Sequence, residues 1–388
     1  DWKIDMNGKS KAKVLFVTNL YPSDEEPNRG VYIRNQAVAL EKSGYEICIL
    51  QMDYRSIRRK RKLGINWRKQ DDIWVCHFSV PISPFTAVQY AIAGRLTEIG
   101  IKHIEEKFGK FDLIHGHFLE GAYGLIDIKR KRNIPIIFTE HGSNLLDKNR
   151  SNIENQRMKR LYAAVDQMIV VGHRQYVCAE CFSIDSLSVI PNVIPDYFKY
   201  DATIEENKNI FLFVSVGNLI ESKCFALLID AFEKIYKERK NVRLEIVGKG
   251  PLEGGLKKKV NERGLSECIS FTGVVPNRKL ADLYNKADCF VLPSRFETFG
   301  VVYAEALCTG TPIISTKNGG IDDIYEDGCG YLVEVDNEDE LEDAMKRIMC
   351  DTFDHRAIAE RYQSKFGESN FVQQIEKVYQ RALQGGIK

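Results

Sequence analysis

Between residues 289 and 315 the chain sets two short apolar strands around one compact helix. The strands are Cys289-Phe-Val-Leu292 and Ile313-Ile-Ser315, and Pro293 to Pro312 lies between them. The helix is expected to open near Gly300, and Gly310 and Pro312 are stop signals. Two carboxylates belong to this stretch, Glu297 in the strand-to-helix loop and Glu305 on the helix. Were both helical, they would point about 80° apart. With Glu297 in the loop, both can face one cleft above the helix N-terminus. That terminus offers amides without intrahelical acceptors and the positive end of the helix dipole, a site suited to phosphate. A carboxylate on each side of a phosphate cradle suits a ligand with hydroxyl groups at both ends. A nucleotide sugar has that form: diphosphate over the helix, sugar on one side, ribose on the other.

A chain of 388 residues exceeds one ordinary core and implies two domains. The formal charge of +1 argues against a polyanion binder, and no nucleic acid partner is expected. No apolar run reaches membrane-spanning length, and the polar first dozen residues carry no secretory signal. Cys48, Cys76, Cys268 and Cys289 sit singly in apolar segments, which reads as thiols in a reducing cytoplasm. Cys178 and Cys181 form the lone C-x-x-C; without a second pair at zinc spacing it reads as a coincidence on a helix face.

In chain order, the apolar strand Val14–Val17 leads through a polar loop to Arg29-Gly30, a helix to Ser43, and a strand from Glu46. This is a nucleotide-fold opening, with the site expected at the strand's C-terminal end. No G-x-G-x-x-G is present, which argues against a dinucleotide oxidoreductase. Residues 55–69 hold eight basic residues among Ile57, Leu63, Ile65 and Trp67. They read either as a surface for anionic lipid or as a solvated loop with a few apolar residues tucked inward.

The strand Asp112–Phe118 ends in His115 and His117, where α/β ligand clefts form. One residue apart, the two are expected on opposite faces, so that one enters the cleft. The strand from Pro135 delivers Thr139-Glu-His-Gly142, and further strands around 167–171 and 188–190 finish the first domain. After a linker from Pro191 the same grammar restarts at Ile210. Its first strand leads into Asn218-Leu-Ile-Glu-Ser-Lys-Cys224, and later come Gly273-Val-Val275 and a final amphipathic helix, Phe366 to Leu383.

Glu297 and Glu305, with Phe299-Gly300 between them, Gly310-Thr-Pro312 after and Asn318-Gly-Gly-Ile321 beyond, resemble the E-x7-E signature of retaining GT-B glycosyltransferases of family 4. The resemblance implies two Rossmann-like α/β domains facing a central cleft. It places an acceptor domain at 1–192, a nucleotide-sugar domain at 193–366, and a helix at 367–388 that returns to the first domain. It further implies that Glu297, Lys223 and His117 carry the chemistry. Donor contacts would come from Gly30, Asn218, Val275, Phe299, Gly300, Val301, Val302 and Glu305, and Glu140 and His141 would stand on the acceptor side.

Where the family pairs Arg with Lys on the diphosphate, this chain has Asn218 and Lys223, and Cys224 replaces a Gly. One guanidinium is lost, and Arg29 is a possible substitute. No Asp-x-Asp lies at a plausible strand end, so neither a metal nor any other cofactor is expected, and the co-substrate is a UDP-sugar in preference to a GDP-sugar. The acceptor would be a glycan or a lipid-linked molecule. The protein would be cytoplasmic, with a peripheral membrane position through residues 55–69 as one reading. Two competing classes are a GT-B enzyme that is not a transferase, such as a nucleotide-sugar epimerase, and an inactive relative acting as a binding partner.

Overall fold

The structure is a computed structural model that describes residues 11–23, 26–54, 62–81, 86–204 and 209–385. The chain forms two compact units. One comprises Asp1–Val193 with Ser369–Lys388, the other Ile194–Glu368.

The first unit is built on a sheet of eight strands: β1 (Lys13–Thr18), β2 (Glu46–Asp53), β3 (Gly64–Gln70), β4 (Ile73–Ser79), β5 (Leu113–His117), β6 (Ile136–Glu140), β7 (Gln167–Val170) and β8 (Leu187–Val189). Its helices are α1 (Val31–Lys42), α2 (Thr86–Phe108), α3 (Leu119–Ala122), α4 (Leu125–Lys131), α5 (Asn152–Tyr162) and α6 (His173–Glu180). The strand order is β3-β4-β2-β1-β5-β6-β7-β8, parallel throughout except for the antiparallel β3–β4 pair. Strand alternation divides the core between the two faces. Leu15 and Val17 join one apolar cluster, and Val14 and Phe16 join the other.

Strand β3 corrects one reading of the basic run. Residues 55–61 lie outside the described residues, but Gly64–Gln70 pairs along its length with Ile73–Ser79 and is no loop. The cause is Trp67, whose ring packs edge-on to Trp74 and Phe108, with the Lys107 ammonium 4.6 Å from its centre. A half-buried indole packed against three neighbours pulls the strand onto the sheet edge, whereas basic residues alone would have left it solvated.

The second unit has six parallel strands: β9 (Phe211–Val216), β10 (Val242–Val247), β11 (Ile269–Gly273), β12 (Cys289–Leu292), β13 (Ile313–Thr316) and β14 (Gly330–Val333). Helices α7 (Phe225–Glu238), α8 (Glu253–Glu262), α9 (Asn277–Lys286), α10 (Val301–Cys308), α11 (Glu338–Ile348) and α12 (His355–Phe366) alternate with them. The strand order is β11-β10-β9-β12-β13-β14. The chain therefore winds one way from β9 and then resumes on its other side at β12. The gap between β9 and β12 is the switch point at which doubly wound sheets bind ligands. In the first unit β1 and β5 hold the equivalent place.

The last helix, α13 (Glu368–Gly385), lies almost wholly in the first unit. Its Phe371, Ile375, Val378 and Ala382 recur at helical spacing and join the cluster of Phe16, Ile33 and Leu40. Both units are α/β domains on largely parallel sheets, as the sequence leads one to expect. No described helix is long and apolar enough to cross a membrane.

Candidate active site

At the second unit's switch point, the turn after β9 and the loop after β12 meet. Residues Glu221–Lys223 form one turn of 3-10 helix, closed by Cys224 in a left-handed conformation with φ 54°. This turn presents Lys223, whose ammonium donates to Oε1 of Glu297. Ser294 Oγ donates to the same oxygen over 2.9 Å. The side chains of Lys223 and Glu297 keep 18% and 11% of their surface exposed, so the pair sits at the mouth of the sheet and not within the core.

Helix α10 starts beside this pair. Gly300 caps it with φ 85°, and half-buried Val301 and Val302 form its first turn. Phe299 turns inward and packs its ring edge-on against Phe366 at 5.6 Å, so it shapes the loop from below. Beyond β13, Asn318 Oδ1 accepts from the amides of Gly320 and Ile321, each at 3.2 Å, and Asn318 Nδ2 donates to the Tyr303 hydroxyl. Tyr303 in turn donates to the carbonyl of Leu292 at 2.7 Å. This buried network ties helix, turn and strand end together beneath Glu297.

Glu305 is 5% exposed, and its nearest polar neighbour is the Tyr284 hydroxyl at 3.5 Å. Burial pushes its carboxyl up to about 8. Asn218 is exposed, and Val275 is half-buried in the turn after β11. The described structure therefore brings Lys223, Glu297 and Ser294 into direct contact, while Glu305 is held within the protein.

The first unit carries a second cluster at its own switch point. His115 and His117 occupy the same face of β5, their rings stacked with centroids 4.3 Å apart. Opposite faces were expected; residues two apart on a strand share a face because the side-chain period is two. Both imidazoles are fully buried, and so is most of His141. Nδ1 of His117 lies 3.1 Å from Nε2 of His141, so one ring donates to the other. His115 lies 2.8 Å from the Tyr379 hydroxyl and 2.7 Å from that of Thr139. Burial holds all three rings neutral, with His115 and His141 lowered to about 3 and His117 well below its ordinary value. Nε2 of His117 is buried without a hydrogen-bonding partner among the described residues, and the His141 ring has the Asn192 side chain beside it. An orphaned ring nitrogen at a strand end is costly unless a ligand meets it.

Glu140 is also buried. It accepts from the Gly142 amide at 2.8 Å and the Tyr162 hydroxyl at 3.2 Å, and burial raises it to about 7. Gly30 caps α1 with φ 71°, and a Cβ there would come within 2.7 Å of the Leu20 carbonyl oxygen, so only glycine fits. The close approach is thus to the chain's own β1 loop. Arg29 pairs with Glu26 at 2.9 Å. Cys181 Sγ donates to the Cys178 carbonyl within one helix end, and no group of three potential metal ligands occurs among the described residues.

Ser294, Tyr303 and Tyr379 were not singled out from sequence, and Asn318 and Thr139 entered only as the first residues of the motifs at 318–321 and 139–142. For Ser294 the available hint was a hydroxyl residue just beyond the strand-ending Pro293.

Comparison with known proteins gives the class. The description "Glycosyl transferases group 1" matches residues 197–366, and "Glycosyltransferase Family 4" matches residues 30–196. A Bacillus subtilis protein named as a teichuronic acid biosynthesis glycosyltransferase is 26% identical, over 86% of this chain and 88% of its own. The D-inositol 3-phosphate glycosyltransferase of Paenarthrobacter aurescens is 24% identical, over 93% and 96%. Among solved structures, the sucrose-phosphate synthase of Thermosynechococcus elongatus aligns at a TM-score of 0.76 and 18% identity, covering 96% of this chain and 99% of its own. An Anabaena protein crystallised with UDP and glucose gives 0.72 and 16%, covering 95% and 99%. The structural matches show the GT-B fold, and the two family matches, which together span residues 30–366, show a glycosyltransferase. With both halves matched, the chain belongs to glycosyltransferase family 4.

The raised carboxyls have a measurable consequence. A carboxyl whose folded pKa exceeds its unfolded value binds more protons when folded, so stability falls as pH rises between the two values. For Glu305 that window runs from the ordinary 4.5 to about 8. Glu305→Gln is therefore expected to raise the thermal midpoint of the ligand-free protein at pH 8, by roughly 2–4 °C for each kcal/mol recovered. The gain should shrink toward pH 5. A gain independent of pH would show that Glu305 is not held protonated by burial.

Proposed function

We propose that the chain transfers a sugar, with retention of anomeric configuration, from a nucleoside-diphosphate sugar to a glycan or lipid-linked acceptor. The observation that carries this reading is the Lys223–Glu297 pair beside the N-terminus of α10, at the switch point between β9 and β12. Sugar transfer passes through an oxocarbenium-like transition state, positive at the anomeric carbon, while charge accumulates on the departing diphosphate. Lys223 and the first amides of α10 meet that phosphate charge from fixed positions. Glu297 hydrogen bonds with a donor hydroxyl near the anomeric carbon, and Glu305 with the ribose hydroxyls.

In the first unit, neutral His117 accepts or donates a hydrogen bond through its orphaned nitrogen and, with His141 beside it, orients the acceptor. No side chain is assigned as a covalent nucleophile; the leaving phosphate takes the acceptor proton. Uridine is the proposed donor base, which the UDP-bound Anabaena neighbour supports at the level of fold. Synthesis of a cell-surface polysaccharide or glycoconjugate is supported by the teichuronic acid relative. Contact with an anionic membrane through residues 55–69 belongs to the lipid-linked version of this proposal.

A panel of nucleotide sugars tests the reading through the thermal midpoint, since a ligand specific for the folded state must raise it. The stabilising donor should then be turned over with nucleotide release. An epimerase would interconvert donors without release, and an inactive relative would do neither. Because Lys223 and the helix terminus supply the positive charge, turnover should persist in excess EDTA. Complete loss, restored by magnesium or manganese, would overturn that part.

A further inference from the structure

A groove in the first unit bears on what the acceptor is. It has two lobes that share a wall of Ala87, Tyr90, Ile153 and Arg157. The near lobe, about 430 Å³, is lined by Leu119, Glu120 and Asn144. Leu119 and Glu120 directly follow His117-Phe118, and Asn144 follows His141-Gly-Ser143, so this lobe abuts both histidine-bearing loops. The far lobe, about 600 Å³, lies among α2, α4 and α5 and is lined by Arg130, Arg157, Arg160 and a single acid, Asp127. Both volumes fall in the range of small-molecule sites.

The charges are distributed unevenly. In the far lobe Arg130 pairs loosely with Asp127 at 3.7 Å and stays 76% exposed. Among the described residues neither Arg157 nor Arg160 forms an ion pair. Arg157 is instead stacked 3.8 Å from the centre of the Tyr90 ring, which meets Tyr123 edge-on at 4.6 Å. Stacking holds the guanidinium in place with its N–H groups unspent, the state in which arginine forks a phosphate. In the near lobe Glu154 is spent on the capping box with Ser151, while half-buried Glu120 remains to accept from hydroxyls. Ile153, 62% exposed, adds an apolar wall common to both lobes.

We propose that this groove binds the acceptor, and that the acceptor is a phosphorylated amphiphile or sugar. Its phosphate sits on Arg157 and Arg160, its apolar or ring-bearing segment lies along Ile153 and Tyr90, and its hydroxyl end reaches the histidine loops. The proposal rests on the glycosyltransferase reading for the word acceptor, but the anion site stands on its own geometry. Net positive charge in the far lobe and hydroxyl acceptors in the near lobe favour such a bipolar ligand over a neutral glycan.

Calorimetric titration of the full chain tests it with dodecyl phosphate below its micelle concentration, dodecyl glucoside and inorganic phosphate. Dodecyl phosphate should bind at least tenfold tighter than the glucoside. Arg157→Gln combined with Arg160→Gln should remove at least tenfold of that affinity and leave the glucoside unchanged, with cooperative unfolding retained. Should the double variant fail to fold, exposed Arg160→Gln alone should still weaken the phosphate ester severalfold. Only binding lost in these variants counts, because inorganic phosphate can also meet α10. Loss of an equally tight inorganic phosphate assigns a soluble phosphorylated acceptor; preference for the dodecyl ester assigns a lipid phosphate. Equal affinity for ester and glucoside, or full affinity in the variants, overturns the proposal. Binding of the ester by a chain that no nucleotide sugar stabilises would refute the donor reading and leave the groove standing.

Discussion

Lys223→Ala and Glu297→Gln each lower turnover of the donor sugar at least tenfold, a barrier increase of about 1.4 kcal/mol or more. The two changes act at different ends of the breaking bond. Loss of the Lys223 ammonium removes the one side-chain cation beside α10 that matches the family's phosphate clamp, since position 218 is Asn. Its effect should fall on kcat, because the phosphate charge it meets grows in the transition state. Glu297→Gln keeps the shape and the hydroxyl contact but gives up the negative charge that holds Lys223 and faces the anomeric carbon. Ser294 would remain as its partner. Both side chains lie at the sheet mouth, so far-ultraviolet dichroism and cooperative unfolding should be retained. Wild-type turnover in both variants would refute the assignment of the site.

A comparable loss is expected from Gly320→Ala, which removes no functional group. A Cβ at Gly320 would lie 2.6 Å from the Cβ of Glu297 and 2.9 Å from its carbonyl carbon and oxygen. Backbone atoms cannot rotate aside as a flexible side chain can, so either the Glu297 loop or the 318–321 turn must move. The turn is pinned by Asn318, which bonds the Gly320 and Ile321 amides, and through Tyr303 it is tied to the end of β12. The displacement therefore falls on Glu297, and a shift near 1 Å at a reacting centre can cost on the order of a hundredfold. Turnover should fall at least tenfold, and the thermal midpoint should drop as well. Gly254→Ala is the control: the site lies on α8 with nothing within 4 Å of the new methyl, and alanine favours the helix. Equal activity in the two variants would show that Gly320 does not position Glu297.

Local chemistry made the second unit legible. Apolar stretches ended by Gly217 and by Pro293 located β9 and β12, and the Gly310-Thr-Pro312 stop followed by Ile313-Ile314 located β13. The loop position of Glu297 followed from the stop signals around α10. The basic run at 55–69 misled in part because its charges are conspicuous while one indole governs its C-terminal half. Trp67 finds Trp74 and Phe108, and only the second of these contacts spans much sequence. The histidine pair was misread for a different reason: a strand's alternation puts His115 beside His117, and their stacked rings now share one environment.

By itself the sequence determined the element grammar, the two-domain organisation and the identity of the charged residues at each strand end, because these depend on periodicity and turn chemistry within short windows. The tertiary structure decided which of those residues touch. Lys223 and Glu297 are 74 positions apart, and His115 meets Tyr379 across 264. Burial followed the same division. Whether Glu305 is a solvated carboxylate or a protonated one near 8 depends on desolvation by the residues packed around it and on the Tyr284 hydroxyl, and no local pattern encodes that environment.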